Sequence, residues 1–171
     1  MTLTQNVFGT IEMTEKFLPV IADKGKIITL GSMAGPMSFK KLSPNIKERF
    51  QSKALTKELL LGLVKEFQEG VANNNYADKG WPKSIYGVSK LTINTYSRLF
   101  GAREDVLSRN IQVYVCCPGW IKTDMSSHHP NAKPLEEGTV TPLYLFDLPF
   151  EVNKELQGQF FQNGTLSTTY E

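Results

Sequence analysis

Two short apolar runs constrain this chain more than anything else in it. Lys26-Ile27-Ile28-Thr29-Leu30 is β-branched, too short for a helix, and does not alternate. That pattern predicts a buried parallel strand. Ile111-Gln112-Val113-Tyr114-Val115-Cys116, ended by Pro118-Gly119, reads as a second. Each follows a helical stretch. Residues 3–21 carry Leu3, Val7, Ile11, Leu18 and Ile21 at roughly helical spacing, and Asp23-Lys24-Gly25 closes the segment, with Gly25 as the expected stop. A longer helix is expected from about Ser84 to Phe100, with Ile85, Val88, Leu91, Thr92, Thr95, Tyr96 and Leu99 as its buried stripe. A weaker helix over Glu136 to Phe146 and a third strand at Gln159-Phe160-Phe161 precede a polar tail. Helices alternating with strands in this way predict an α/β sheet joined by crossovers.

The stretch at about 36–82 departs from the alternation. Gly35-Pro36, Ser43-Pro44 and Gly80-Trp81-Pro82 punctuate it, and residues 46–69 hold a mixed-charge helical pattern. About forty residues are too few to support a core of their own, so this reads as a helical insertion in a single partial domain, 1–171. The strand at 26–30 has no preceding strand to pair with, and a free apolar edge invites self-association. A net charge of +2 excludes attraction to a polyanion as the main driver of function, and nucleic acid is not an expected partner. No apolar run reaches the ~20 residues that span a bilayer, and the first residues lack a signal-peptide pattern. Cys116 and Cys117 are adjacent and are the only cysteines, which points to a reducing, cytoplasmic setting.

Chemistry-bearing residues gather at a few places. Tyr86 and Lys90 are four apart, so they share one face of the second long helix, outside its apolar stripe. An ammonium near a phenol favours the phenolate, and a phenol tuned in that way exchanges a proton with a developing alkoxide. Ser32 lies just past a strand end, where open α/β sheets bind ligands, and Asn6 sits on the first helix. A half-buried tyrosine beside a solvent-facing lysine accounts for the same spacing without chemistry.

Tyr86-Gly87-Val88-Ser89-Lys90 resembles the Tyr-x-x-x-Lys motif of short-chain dehydrogenases/reductases. Asn6-Val7-Phe8-Gly9-Thr10, Lys26 to Ser32, and Cys117-Pro118-Gly119-Trp120-Ile121-Lys122-Thr123-Asp124-Met125 follow that family's order. Ser32 and Tyr86 stand 54 positions apart, where most members have about a dozen residues. The insertion and its exit, Gly80-Trp81-Pro82-Lys83-Ser84-Ile85-Tyr86-Gly87, are similar to the monomeric NADPH-dependent carbonyl reductases within the family. The resemblance implies an incomplete doubly wound, Rossmann-like parallel sheet and NADPH-dependent reduction of a ketone, aldehyde or quinone to an alcohol. It implies Tyr86 as general acid, Lys90 on the nicotinamide ribose, Ser32 on the substrate carbonyl and Asn6 on a water of the proton relay. Pro118, Gly119, Ile121 and Thr123 match the cofactor-contacting stretch, and Trp120 and Met125 match the walls of the substrate pocket. The glycine-rich Thr-Gly-x-x-x-Gly-x-Gly segment that receives the pyrophosphate in the family is not in the sequence. Gly31-Ser32-Met33-Ala34-Gly35 imitates its first half, but Met37 takes the third glycine's place and Pro36 is expected to interrupt a helix start. The chain thus reads as the C-terminal portion of such a reductase. A non-catalytic form, acting by association with itself or a partner, is the alternative.

Plainer readings attach to the remaining features. Asn6 suits a surface amide near a fraying end, Trp120 and Trp81 suit packing, and two thiols closing a strand suit inert core. His128 and His129 are adjacent in a Pro-rich loop near Asp124, with no third ligand at metal-binding spacing, so no metal is expected. Lys40, Lys41, Lys47 and Arg49 read as a solvated helix face.

Overall fold

The computed structural model describes every residue except Val152 and Glu171. Its sheet has four strands, β1 (Lys26–Leu30), β2 (Gln112–Cys117), β3 (Phe160–Gln162) and β4 (Thr165–Ser167), side by side in that order. β1 and β2 are parallel, with Lys26 opposite Gln112 and Leu30 opposite Cys116. β2 and β3 are also parallel, from Val115 opposite Phe160 to Cys117 opposite Gln162. β4 returns antiparallel on β3 through Asn163 and Gly164, both at positive φ. The sequence pattern predicts only a polar tail here. Its Asn-Gly pair is the residue signature of a tight hairpin turn.

Helices cover both faces, so the protein is a partial doubly wound α/β fold, open and mostly parallel, with extra helices. On one face a single apolar cluster takes Val7 and Ile11 from the N-terminal helix, Val88, Leu91, Tyr96 and Phe100 from α5 (Ile85–Gly101), and Val113 from β2. The same cluster holds Phe39 of α2 (Ala34–Lys40), Ile46 and Phe50 of α3 (Pro44–Gln51), and Leu60, Leu63 and Phe67 of α4 (Lys57–Ala72). Trp81 is buried between Phe50 and Phe67, with ring centroids 6.1 and 5.2 Å away. On the other face Tyr114, Cys116 and Phe161 pack under Leu145 of α7 (Val140–Asp147). Successive residues of β2 go to opposite sides, as a pleated strand requires.

Three local details differ from the sequence expectation. The N-terminal helix is three conformations in series: a π-helical stretch Thr4–Gly9, α1 (Thr10–Phe17), and a 3-10 turn Leu18–Val20. The left-handed residue after it is Lys24 (φ 63°) and not Gly25. Gly25 is needed for space, since a Cβ there would stand 2.6 Å from Ile21 Cγ2 and 2.8 Å from the Ala22 carbonyl oxygen. Pro36 does not block a helix. It lies in the first turn of α2, where a missing N–H leaves no bond unmade.

β1 is half-exposed where a fully buried strand was expected, because it is the edge of the sheet. The Gly25 carbonyl accepts from Gln112 N and Gly31 N donates to Cys116 O. Odd-numbered peptide groups therefore face β2, and those of Lys26, Ile28 and Leu30 face outward. Lys26 Nζ donates to the carbonyls of Leu145 (3.3 Å), Phe146 (2.6 Å) and Leu148, closing the end of α7. Among the described residues no helix is long and apolar enough to cross a membrane.

Candidate active site

Tyr86 is placed by the start of α5. Ser84 Oγ accepts from Gly87 N at 3.0 Å and caps the helix, which fixes the first turn and leaves the Tyr86 side chain 40% exposed. Lys90 follows one turn later. Its Nζ lies 5.8 Å from the Tyr86 ring centroid and donates to the Leu30 carbonyl at 2.8 Å. Burial lowers the Lys90 pKa from the ordinary lysine value, with Cys117 acting in the opposite sense. Ser32, two residues past β1, accepts from Ala34 N at 3.1 Å.

Asn6 is tied to the same helix and is not a loose surface amide. Its Nδ2 donates to Ser89 Oγ at 3.1 Å, and Ser89 Oγ donates to the Tyr86 carbonyl at 2.7 Å. The π-helical stretch that holds Asn6 is a departure often found at functional positions. Sequence reasoning singles out Ser89 only as part of the five-residue motif. Its position between Tyr86 and Lys90 was the available signal.

β2 delivers the other wall. After Cys117 the chain turns at Gly119 (φ 96°), and Gly119 N donates to Cys117 Sγ at 3.4 Å. Lys133 N donates to the Trp120 carbonyl and Lys122 N to the Lys133 carbonyl, at 2.9 and 2.8 Å, so the loop is braced as a bridge beside Ile121. Thr123 caps a 3-10 turn, Asp124–Ser126. A cavity of about 800 Å³ opens here. Ser32, Tyr86, Pro118, Gly119, Trp120, Ile121, Thr123 and Met125 all line it. Asn6 and Lys90 do not line it; Asn6 reaches the Tyr86 backbone through Ser89, and Lys90 reaches the end of β1 at Leu30. Met33, Cys117, Ser126, Gly138 and Gln162 line it too and were not singled out from the sequence as site residues. Gln162 owes its place to strand pairing, which no local pattern reveals.

Trp120 is 52% exposed and tilted against His129 with centroids 4.7 Å apart, so it is not core. Both cysteines are free and buried, and burial pushes the Cys116 thiol up to about 11. His128 Nε2 stands 2.8 Å from Asp124 Oδ1. No group of three His, Cys, Asp or Glu side chains able to hold a metal occurs among the described residues. A second cleft of about 620 Å³ lies between the ends of α4 and α5. Its Glu15 is already shared by Lys57 (2.9 Å) and Arg103 (2.6 Å), which hold its carboxyl below the usual range against the opposing pull of burial.

No family profile matches the chain. Among curated proteins it is 34% identical over 165 residues to carbonyl reductase [NADPH] 1 of Rattus norvegicus, covering 95% of this chain and 59% of that protein. It is 38% identical over 161 residues to carbonyl reductase [NADPH] 3 of Homo sapiens, covering 93% and 57%. Among solved structures, salutaridine reductase from Papaver somniferum superposes with a TM-score of 0.79 at 27% identity, over 93% of this chain and 53% of that one. Menthone neomenthol reductase from Mentha piperita shares the fold, with a TM-score of 0.70. The chain is homologous to the NADPH carbonyl reductases of the short-chain dehydrogenase/reductase family and spans a little under three-fifths of the length of these relatives.

Proposed function

We propose that the cavity is the substrate and nicotinamide end of a carbonyl reductase site, where a ketone, aldehyde or quinone is reduced to an alcohol at the expense of NADPH. The observation that carries this reading is the meeting of Tyr86 and Ser32 in one cavity, with Lys90 a turn behind the tyrosine. Tyr86 donates a proton to the carbonyl oxygen as negative charge develops on it. Ser32 Oγ turns from the Ala34 amide to orient that oxygen. Lys90 supplies positive charge beside the phenol and hydroxyl-binding capacity for a ribose, and Asn6 with Ser89 steadies the turn that carries both. Bound NADPH would supply the hydride. The residues fit its nicotinamide half: Gly119, at positive φ, and Pro118 leave a close backbone approach, Ile121 offers an apolar face, and Thr123 a hydroxyl. Trp120 and Met125 suit a flat apolar substrate. A reducing, cytoplasmic setting is in keeping with two unpaired cysteines.

A second reading rests on the outward peptide groups of β1 and on Leu30, which is 54% exposed. An added strand would satisfy those groups, and the chain would then act by association with itself or a partner. The deciding experiment is a fluorescence titration with NADPH, with the oligomeric state recorded in the same buffer. Saturable micromolar binding, with carbonyl turnover lost in Tyr86→Phe and cofactor affinity kept, is the expected result. No binding up to millimolar NADPH, in a chain that self-associates, overturns the reductase reading in favour of the second.

A further inference from the structure

Gln162 ends β3 directly opposite Cys117 of β2, and Ser32 follows β1, so three neighbouring parallel strands deliver their ends to one cavity. Much of the cavity wall is apolar, from Met33, Trp120, Ile121 and Met125. Its other polar side chains are largely committed. Ser126 Oγ donates to the Thr123 carbonyl at 2.9 Å and accepts from Thr123 N at 3.0 Å, while Thr123 Oγ1 donates to the Ile121 carbonyl at 3.4 Å. Gln162 uses its backbone carbonyl to accept from Thr165 Oγ1 at 2.9 Å. Its side-chain amide has no hydrogen-bond partner among the described residues, so a donor and an acceptor remain free beside an apolar slot.

We propose that Gln162 is a specificity-determining residue, whose amide hydrogen-bonds a second oxygen on the substrate, away from the carbonyl facing Tyr86 and Ser32. The cavity thereby selects hydroxyketones and dicarbonyl compounds over simple ketones of the same skeleton. A ligand with no second oxygen displaces water from the amide and returns nothing, so it binds more weakly. This rests on the proposed substrate site, though not on turnover.

The test is calorimetric titration of the chain, without cofactor, with 1-tetralone and with 4-hydroxy-1-tetralone, which differ by one hydroxyl. The wild type should prefer the hydroxyketone by about tenfold, the scale of one hydrogen bond. Gln162→Leu should erase that preference, with the hydroxyketone losing affinity and 1-tetralone gaining it because no amide is left to desolvate, and Gln162→Met, closer in length, provides the same reading if the leucine variant misfolds. An undiminished preference in the variants overturns the proposal. So does the absence of any preference, or of any binding, in the wild type. Preference without NADPH-dependent turnover of either ketone supports Gln162 as selector and refutes only the reductase reading.

Discussion

Gly87, between Tyr86 and Lys90, offers the sharpest test of how this site is assembled. A Cβ at this position would fall inside the Ser38 hydroxyl of α2, 2.9 Å from Ser84 Oγ and 3.0 Å from the Ala34 carbonyl oxygen. The first conflict is relieved by rotating Ser38. The second demands that Ser84 release the Gly87 amide it caps, and the third is with backbone that cannot rotate away. Gly87→Ala should gain about 1 kcal/mol of helix propensity, against about 1 kcal/mol for a disturbed cap and roughly 1–3 kcal/mol for overpacking. The net is a loss of about 1–3 kcal/mol. For a chain of this size that lowers Tm by about 2–4 °C per kcal/mol, which calorimetry resolves. Adding Ser38→Gly should return part of the loss in a double-mutant cycle, because it removes the first obstacle and leaves the other two. A Gly87→Ala protein as stable as the parent would refute the argument that α2 and α5 meet too closely here for a side chain.

Other predictions follow from single contacts. Lys26→Met should cost roughly 1–3 kcal/mol by leaving the terminal carbonyls of α7 without a cation, and amide exchange in α7 should accelerate before that in α5. The lowered Glu15 carboxyl contributes stability that is complete above the ordinary carboxylate pKa of 4.5 and is lost as pH falls through its lower folded value. Denaturation followed from pH 6 to pH 3 should therefore lose less stability in Glu15→Gln than in the parent. Cys116, fully buried and with its thiol pushed up to about 11, should resist iodoacetamide at pH 8 and react once the chain is unfolded in guanidinium. Rapid labelling of Cys116 in the native protein would contradict its burial.

Much of this architecture is legible in local residue patterns, and the exceptions have physical causes. The strands at 26–30 and near 111–116 announce themselves by β-branched runs too short to be helices. α5 shows in its periodic stripe and its Ser84 cap, and Tyr86 with Lys90 through their four-residue spacing. Ser32 shows in its place just past a strand end, whereas Trp120 and Met125 are reached only through the resemblance, and the common cavity of all three needs the sheet to assemble. The π-helical turn at Asn6 was hidden because widening one turn barely alters the apolar spacing on either side. β4 was missed because three residues carry too little pattern, although Asn163-Gly164 marked the turn. Pro36 misled because its position within the first turn of α2, and not its mere presence, decides whether it breaks a helix. Gln162 became visible only through its register with Cys117.

The bond from Lys90 to Leu30 has a consequence for the sheet as well as for the site. Leu30 offers one of the outward carbonyls of β1, and the ammonium already occupies it. Lys90 is thus a stopper at the β1 edge of the sheet, a role lysines often serve on exposed edges. A strand growing along β1 past Ile28 would have to compete for that carbonyl, and on winning it would set a positive charge free one helical turn from Tyr86.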